Sequence, residues 1–201
     1  MKRFFLLLVA ALFATAVSAA EYKYSRDIVY RADDDYASTM CRMDIATPEG
    51  ATDAPVIVWF HGGGLTGGKR EIPEALLNGQ YVVVGVGYRF SPNVKVTQCV
   101  DDAAAAVAWV FKNIEQYGGS SKKIYISGHS AGGIIPFSGQ AITHFEERRS
   151  RGIANTQPVV DELAPLFHVR ADSAPFLMIT GDREMEMLGR YEENALMWRI
   201  F

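Results

Sequence analysis

The sequence predicts an α/β domain: a mostly parallel sheet with helices on both faces. Three apolar runs, 54–60 (APVIVWF), 81–90 (YVVVGVGYRF) and 123–130 (KIYISGHS), are typical of strands that are buried on both faces. A fourth such run lies at 174–182 (APFLMITGD). Residues 99–119 (CVDDAAAAVAWVFKNIEQYGG) predict a helix between the second and third runs. Strands that alternate with helices in this way predict parallel pairing.

The remaining segments complete the domain. We predict β-rich stretches at 22–30 and 39–46, joined by an acidic turn (RADDDYAS). Residues 71–79 (EIPEALLNG) predict a short helix, and residues 189–201 predict an amphipathic helix. The charged run HFEERRSRGIANTQP predicts a polar connection whose charges are solvated.

The composition is that of one ordinary globular domain. The 201 residues include 20 Lys and Arg against 23 Asp and Glu, which gives a formal net charge of −3. This length gives one domain a sizeable core but is too short for two. The charge balance gives no reason to expect a nucleic acid or an anionic membrane as a partner. We also expect no cofactor and no metal, because no motif for either stands above chance.

Residues 1–20 predict a cleavable secretory signal peptide. Lys2 and Arg3 precede an apolar run, 4–17, that is shorter than the about 20 residues a membrane span requires. Small residues suited to a signal peptidase follow. An uncleaved N-terminal anchor is the alternative. We expect an exported protein, periplasmic or secreted, in which residues 21–201 form the domain and no later segment spans a membrane.

Two cysteines, Cys41 and Cys99, gain a meaning from this expected export. An even number of cysteines in an oxidising compartment could form one disulfide. Two buried free thiols are the alternative, because the sequence does not show whether the two Cα atoms lie close enough for a bridge.

A G-x-S-x-G pattern (GHSAG) stands at 128–132, directly after the third buried strand. Its glycines permit a sharp strand-to-helix turn that strains the serine backbone and exposes the hydroxyl at the carboxyl edge of the sheet. Five residues with three fixed positions are weak evidence alone, but the strand context is the one this chemistry requires. Ser130 is therefore the candidate nucleophile.

A second glycine-rich pattern, HGGG at 61–64, directly follows the first buried strand. Attack of a serine on an ester makes a tetrahedral oxyanion, which needs N–H donors with nothing bulky in the way. We predict that Gly63, Gly64 and Ala131 supply these donors. The overlapping run GGLTGGK also matches a phosphate-binding loop, but Arg70 follows it where such a loop needs Ser or Thr to hold magnesium.

Together these motifs resemble the α/β-hydrolase superfamily, specifically its exported carboxylesterase/lipase branch with an HGGG oxyanion motif. The stretches VWFHGGGLTGGKRE, VVVGVGYRFSP, DDAAAAVAWVFKNIEQYGG and ISGHSAGG are similar to its consecutive landmarks, in the same order. The resemblance covers about 41–133 and resumes at 136–145 and from 163 onward. It implies an α/β-hydrolase-like fold and a serine ester hydrolase, and it does not identify the ester.

The resemblance also implies an acid in the turn after the fourth apolar run (GDRE). Glu184 matches the acid's position, three residues after the glycine, and Asp182 is the reserve candidate. The acid would orient a histidine and stabilise its protonated form. In the alternative interpretation, both carboxylates simply solvate a turn.

The histidine of such a site is not where the resemblance implies it. The order in the family is serine, acid, histidine, and no histidine follows Glu184 in the sequence. We therefore expect an incomplete domain that lacks the C-terminal strand and histidine loop. His61, His129 and His144 are expected to be structural, and His168 is a weak candidate base. A partner chain or residues beyond this sequence are the other sources.

The helix that normally follows the nucleophile is also predicted to be missing. Pro136 falls six residues after Ser130, and proline costs about 3 kcal/mol or more inside a helix. The run IIPFSGQ therefore predicts the family's next strand.

Two hypotheses on function follow from these motifs. The chain is a serine carboxylic-ester hydrolase for a small-molecule or carbohydrate ester, or it is a catalytically incompetent hydrolase-fold remnant or binding module.

Overall fold

The structure, a computed structural model, describes residues 20–132, 136–137, 140–170, 172, 184 and 189–200. The predicted signal peptide up to residue 19, the predicted strand at 174–182 and Asp182 lie outside the described residues. Within the described ranges, no helix is both long enough and apolar enough to cross a membrane.

Among the described residues, six strands form one mixed sheet in the spatial order β1-β2-β4-β3-β5-β6. The strands are β1 (Tyr22–Val29), β2 (Arg42–Pro48), β3 (Ala54–Phe60), β4 (Val82–Val86), β5 (Gly119–His129) and β6 (Pro136–Phe137). β2 is antiparallel to both β1 and β4, whereas β3 is parallel to β4 and β5, and β5 is parallel to β6. The prediction of a mostly parallel sheet is confirmed.

Four α-helices accompany the sheet in the described part of the chain. They are α1 (Asp35–Met40), α2 (Val96–Asn113), α3 (Phe145–Ser150) and α4 (Arg190–Ile200). The predicted long helix is α2, which begins three residues earlier than predicted and continues into a 3-10 turn at Ile114–Tyr117. The helix predicted at 189–201 forms as α4. Its predicted amphipathic character is wrong, because Leu196, Trp198 and Ile200 are exposed while the polar Asn194 is buried.

The main hydrophobic core lies between the sheet and α2. Successive side chains of a strand point to opposite faces, and Val56, Val58 and Phe60 of β3 all pack into this core with 2% exposure or less. Ala106 and Val110 of α2 are completely buried in the same core. The carboxyl ends of the parallel strands are thereby held at one edge of the sheet, where the candidate site lies.

Two segments before α2 differ from the sequence prediction. The acidic stretch after β1 contains the helix α1, because Asp34 accepts a hydrogen bond from the Ala37 N–H at 2.6 Å and caps the helix. The helix predicted at 71–79 is wrong, since only the 3-10 turn Glu74–Leu76 forms. The chain just before this turn crosses β4 at Gly85, so its path is set by packing on the sheet.

The polar connection predicted after β6 is also wrong in part. It contains α3, which has Glu146 and Glu147 in its first turn and Arg148 and Arg149 in its last turn. Charges placed in this way favour a helix through its dipole. Two of the four charged side chains, Glu146 and Arg148, are buried rather than solvated.

The strand predicted around Pro136 is confirmed. Pro136 and Phe137 pair in parallel with Gly128 and His129. Parallel neighbours are normally joined by a connection of a dozen or more residues. Here β6 begins only seven residues after β5 ends, so no long helix can stand between them.

Candidate active site

The ends of β3 and β5 bring the two glycine motifs together. Phe60, the last residue of β3, lies opposite Gly128 near the end of β5. Parallel strands that end at the same level release their following loops side by side. The HGGG stretch and Ser130 therefore leave the same edge of the sheet.

Ser130 occupies a strained turn at the end of β5. Its φ is 54°, which is uncommon for a residue with a side chain and costs of order 1–3 kcal/mol. A 3-10 turn, Ser130–Gly132, follows directly. The side chain is half-buried, and this geometry is the one that the G-x-S-x-G pattern predicts.

Gly62 lies against this turn and has no room for a side chain. A Cβ on Gly62 would stand 2.8 Å from His129 Nδ1, 3.0 Å from His129 O and 3.2 Å from Ser130 Cβ. The backbone of the HGGG stretch therefore approaches the serine as closely as a glycine permits.

The glycine loop is closed by its own backbone. Gly63 has a φ of 126°, and its carbonyl accepts the N–H groups of Thr66 and Gly67 at 3.1 and 3.2 Å. A Cβ on Gly63 would stand only 2.2 Å from Gly67 O. Among the described residues, no acceptor takes the N–H of Gly63 or Gly64. Both groups are thus available as donors to a bound oxygen atom.

His61 supports the loop from behind. Its ring stacks on Tyr88 with the centroids 4.5 Å apart, and its Nδ1 donates to the Gly62 carbonyl at 2.7 Å. The Tyr88 hydroxyl donates to the His61 carbonyl at 2.6 Å. Burial lowers the pKa of His61, so the ring is neutral at neutral pH. The expectation of a structural role fits these contacts.

Arg89, next to Tyr88, is anchored by a buried ion pair. Its Nε and Nη2 donate to the two carboxylate oxygens of Asp102 at 2.8 and 2.7 Å, and Arg31 Nη1 donates to the same carboxylate at 3.0 Å. The hydrogen bond with Asp102 raises the pKa of Arg89. This pair ties the chain after β4 to α2 and thereby holds Tyr88 against His61.

The far end of the glycine loop is anchored by a second set of charges. Arg70 Nε donates to Asp44 at 3.0 Å, and Arg70 Nη2 donates to Asp27 at 2.6 Å. The next residue, Glu71, crosses β4 directly over Gly85, where a Cβ would stand 2.2 Å from Glu71 O. The loop is therefore fixed at both ends, by His61 and by Arg70.

An aromatic side chain covers the front of the loop. Phe145, the first residue of α3, places its Cζ 3.1 Å from the position that a Cβ on Gly64 would occupy. Arg148 of the same helix is buried and donates to the carbonyls of Thr143, Asn155 and Gln157 at 2.7–3.0 Å. The sequence prediction missed both residues, and the acidic-then-basic order in FEERR was the signal for the helix that holds them.

The acid and base candidates are placed less closely. Glu184 lies in a turn with its side chain exposed, and its neighbours in sequence are outside the described residues. His168 Nε2 donates to the Glu162 carbonyl at 2.7 Å, and its ring contacts Phe167. His144 Nδ1 accepts from the Glu146 N–H at 3.2 Å at the start of α3. These contacts do not bring a base to Ser130.

Cys41 and Cys99 are both buried free thiols, so the possible disulfide does not form and the alternative of two buried thiols is confirmed. Burial raises the pKa of each thiol to about 11. Both side chains remain protonated at neutral pH and take no part in the candidate site. In the described part of the chain, no group of His, Cys, Asp or Glu side chains could hold a metal ion.

The sheet and the two motifs at its edge define the class of this protein as an α/β-hydrolase. The chain is similar to a solved structure of Thermogutta terrifontis esterase 2, phosphoramylated by tabun, with a TM-score of 0.67 and 24% identity. The alignment covers 91% of this chain and 78% of the esterase. At this identity the likeness concerns the fold. The BD-FAE family model matches residues 43–147, slightly more than half of the sequence, and the chain belongs to the BD-FAE family.

Two curated relatives of this chain are named as esterases. Carboxylesterase NlhH of Mycobacterium tuberculosis is 36% identical over 86 residues, which are 40% of this chain and 27% of the relative. Esterase LipI of the same organism is 34% identical over 88 residues, or 41% and 28%. The chain thus spans little more than a quarter of the length of these relatives. The family is one of hydrolases.

Proposed function

We propose that this protein is a serine carboxylic-ester hydrolase of the exported esterase/lipase branch. Ser130 attacks the ester carbonyl, and the N–H groups of Gly63, Gly64 and Ala131 hold the oxyanion that forms. Glu184 orients the base. The substrate is a small-molecule or carbohydrate ester, by analogy with relatives that are named esterases. Residues 1–20 direct export as a cleavable signal.

The approach of the glycine loop to the serine supports this proposal most directly. A Cβ placed on Gly62 would stand 3.2 Å from Ser130 Cβ. The N–H groups of the next two residues, Gly63 and Gly64, have no acceptor among the described residues. A reacting carbonyl beside Ser130 therefore finds preorganised donors, which stabilise the developing negative charge without reorganisation. A solvated surface turn has no need of such an arrangement.

The mechanism also requires a general base for Ser130. A base must take the proton from the Ser130 hydroxyl as the new C–O bond forms, and it must return the proton to the leaving alcohol. The base comes from His168 after rearrangement, from a partner chain or from residues beyond this sequence. The test must therefore separate a missing base from a missing nucleophile.

Hydrolysis of p-nitrophenyl acetate by the chain without residues 1–20 provides the test. We expect release of p-nitrophenolate as the acetyl group passes to Ser130, followed by release of acetate by water. Ser130→Ala should abolish this reaction, whereas Ser121→Ala, on a surface serine of β5, should change nothing. Added imidazole supplies an external base, so if the base is absent it should accelerate the wild type more than Ser130→Ala, whose rate measures the hydrolysis that imidazole catalyses by itself. Mass spectrometry after treatment with a fluorophosphonate should find the label on Ser130. A folded wild type that neither hydrolyses nor labels, with or without imidazole, contradicts the proposal and favours the non-catalytic remnant.

Two glycines of the loop provide a matched test of the oxyanion donors. Gly62→Ala forces the loop and the serine turn apart, and a displacement near 1 Å costs about 100-fold in rate. A Cβ on Gly67 meets nothing within 4 Å, so Gly67→Ala should retain activity. We expect the loss to lie in kcat rather than in KM, because the donors act on the transition state. Equal activity of the two variants contradicts the assigned donors.

A further inference from the structure

We propose that Phe145 sets a size limit on the ester substituent beside Gly64, so that the site takes esters with a short chain on that side. This inference rests on the proposed function and deepens it by naming a specificity-determining residue. It concerns a side chain that the sequence motifs do not include.

The Phe145 ring occupies the space next to a proposed oxyanion donor. Its Cζ and Cε1 lie 3.1 and 4.0 Å from the point where a Cβ on Gly64 would stand. A carbon–carbon bond adds about 1.5 Å, so the tip of the ring lies within about 4.6 Å of the Gly64 Cα. Gly64 has no side chain to separate the ring from its own N–H group. In our proposal the ring forms one wall of the site.

The geometry of an ester brings one substituent towards this wall. The carbonyl carbon is planar and carries the acyl chain on one side and the alcohol oxygen on the other. When the carbonyl oxygen accepts the Gly64 N–H at about 2.9 Å, one of these two substituents extends, in our proposal, towards the Phe145 ring. Longer chains meet the ring at van der Waals distance, about 3.5–4.0 Å.

The ring is held in place by the segment around it. His144 packs on Phe145 with the ring centroids 4.3 Å apart. The preceding Thr143 is completely buried; its N–H donates to Val159 O at 2.9 Å and its hydroxyl donates to Asp161 at 2.7 Å. A displacement of Phe145 would strain these buried hydrogen bonds. A wall that is held in this way discriminates by chain length, because it does not yield to a longer substituent.

The decisive experiment compares Phe145→Ala with Phe167→Ala. Phe167 is an exposed phenylalanine of the 3-10 turn Pro165–His168, so its removal controls for the loss of a ring. Two series of esters are used: p-nitrophenyl esters from acetate to octanoate, which vary the acyl chain, and alkyl acetates from ethyl to octyl, which vary the alcohol. We expect Phe145→Ala to raise kcat/KM of the longest ester relative to the shortest by about tenfold or more in one series. The other series and the control should not change.

Direct binding separates this inference from the proposed function. In a Ser130→Ala background, which cannot hydrolyse the esters, dissociation constants of both series are measured with and without Phe145→Ala by tryptophan fluorescence. Tighter binding of long esters in one series supports the wall even if the wild type proves inactive. Phe145→Leu, which preserves apolar packing, gives the same test at lower amplitude if the alanine variant unfolds. An unchanged length profile, a shift in both series alike, or no ester binding by the folded protein overturns the inference.

Discussion

Arg89 and Arg148 are both 3% exposed, yet the two buried arginines are held by different kinds of partner. Arg89 forms a bidentate ion pair with Asp102. Arg148 donates only to backbone carbonyls, and no carboxylate among the described residues pairs with it. Each arginine nevertheless lies next to an aromatic residue that contacts the HGGG stretch. Tyr88, beside Arg89, stacks on His61, and Phe145, in the same helix as Arg148, lies against Gly64.

The two arginines therefore stabilise the surroundings of the candidate site in different ways. The ion pair of Arg89 joins a strand end to a helix of the central core, and its energy depends on charge neutralisation in a buried place. The carbonyl partners of Arg148 lie within 15 residues of one another, at 143, 155 and 157. Arg148 therefore orders a local segment that could otherwise unfold alone. We expect damage at Arg89 to be global and damage at Arg148 to be local.

Asp102→Asn should have the largest effect on stability. The substitution leaves the buried Arg89 with only the exposed carboxylate of Asp34, at 3.3 Å, and breaking a buried pair costs about 3–5 kcal/mol. Urea unfolding measures the loss of free energy. Asp101→Asn, one residue earlier on the exposed side of α2, is the matched control and should stay within about 0.5 kcal/mol of the wild type. Equal losses in the two variants would show that the buried ion pair is not what stabilises this region.

Arg148→Met should have a smaller and more local effect. It removes the donor from three carbonyls while it retains most of the side-chain stem, and the expected loss is about 1–3 kcal/mol. Hydrogen exchange should show faster exchange over residues 141–163, with β3 and β4 unchanged. Lys123→Met, which breaks the exposed ion pair with Asp53, is the control and should leave the exchange of residues 141–163 unchanged. A uniform increase in exchange across the sheet would refute the local role.

His61 should give the smallest effect, visible as a pH dependence. Burial holds the folded pKa of His61 below its unfolded value, so the unfolded state binds the proton first as the pH falls. The free energy of unfolding should therefore be constant above the unfolded pKa of about 6.5 and decrease between there and the folded pKa. His61→Phe, which retains a stacking ring, should remove this decrease. His168→Gln, at an exposed histidine, should preserve it.

The centre of the fold and the position of the candidate nucleophile could be predicted from the sequence. Continuous valine-rich runs are a strong local signal for buried parallel strands, and the GHSAG and HGGG patterns directly follow two of them. Because adjacent parallel strands end at one edge, these patterns were expected to meet, and Gly62 does lie against Ser130. The prediction succeeded where a local pattern alone determines the geometry.

The parts that the sequence prediction missed depend on contacts that no short pattern of residue types indicates. A helix of six residues, such as α3, spans fewer than two turns, so the apolar periodicity that predicts a helix is too short to detect. The burial of Arg148 depends on carbonyls that follow it by up to nine residues, and no pattern of residue types indicates this. Phe145 gains its place on the glycine loop only through that fold of the chain.

The two buried thiols have a practical consequence for experiments on this protein. Because Cys41 and Cys99 are shielded and have pKa values of about 11, maleimide reagents should react with them only after the chain unfolds. With Thr66→Cys, at an exposed position of the glycine loop, the folded protein would then carry a single fluorophore without removal of either native cysteine. That dye would follow ligand entry in real time, while delayed labelling of the native pair would serve as a clock for unfolding in the same sample.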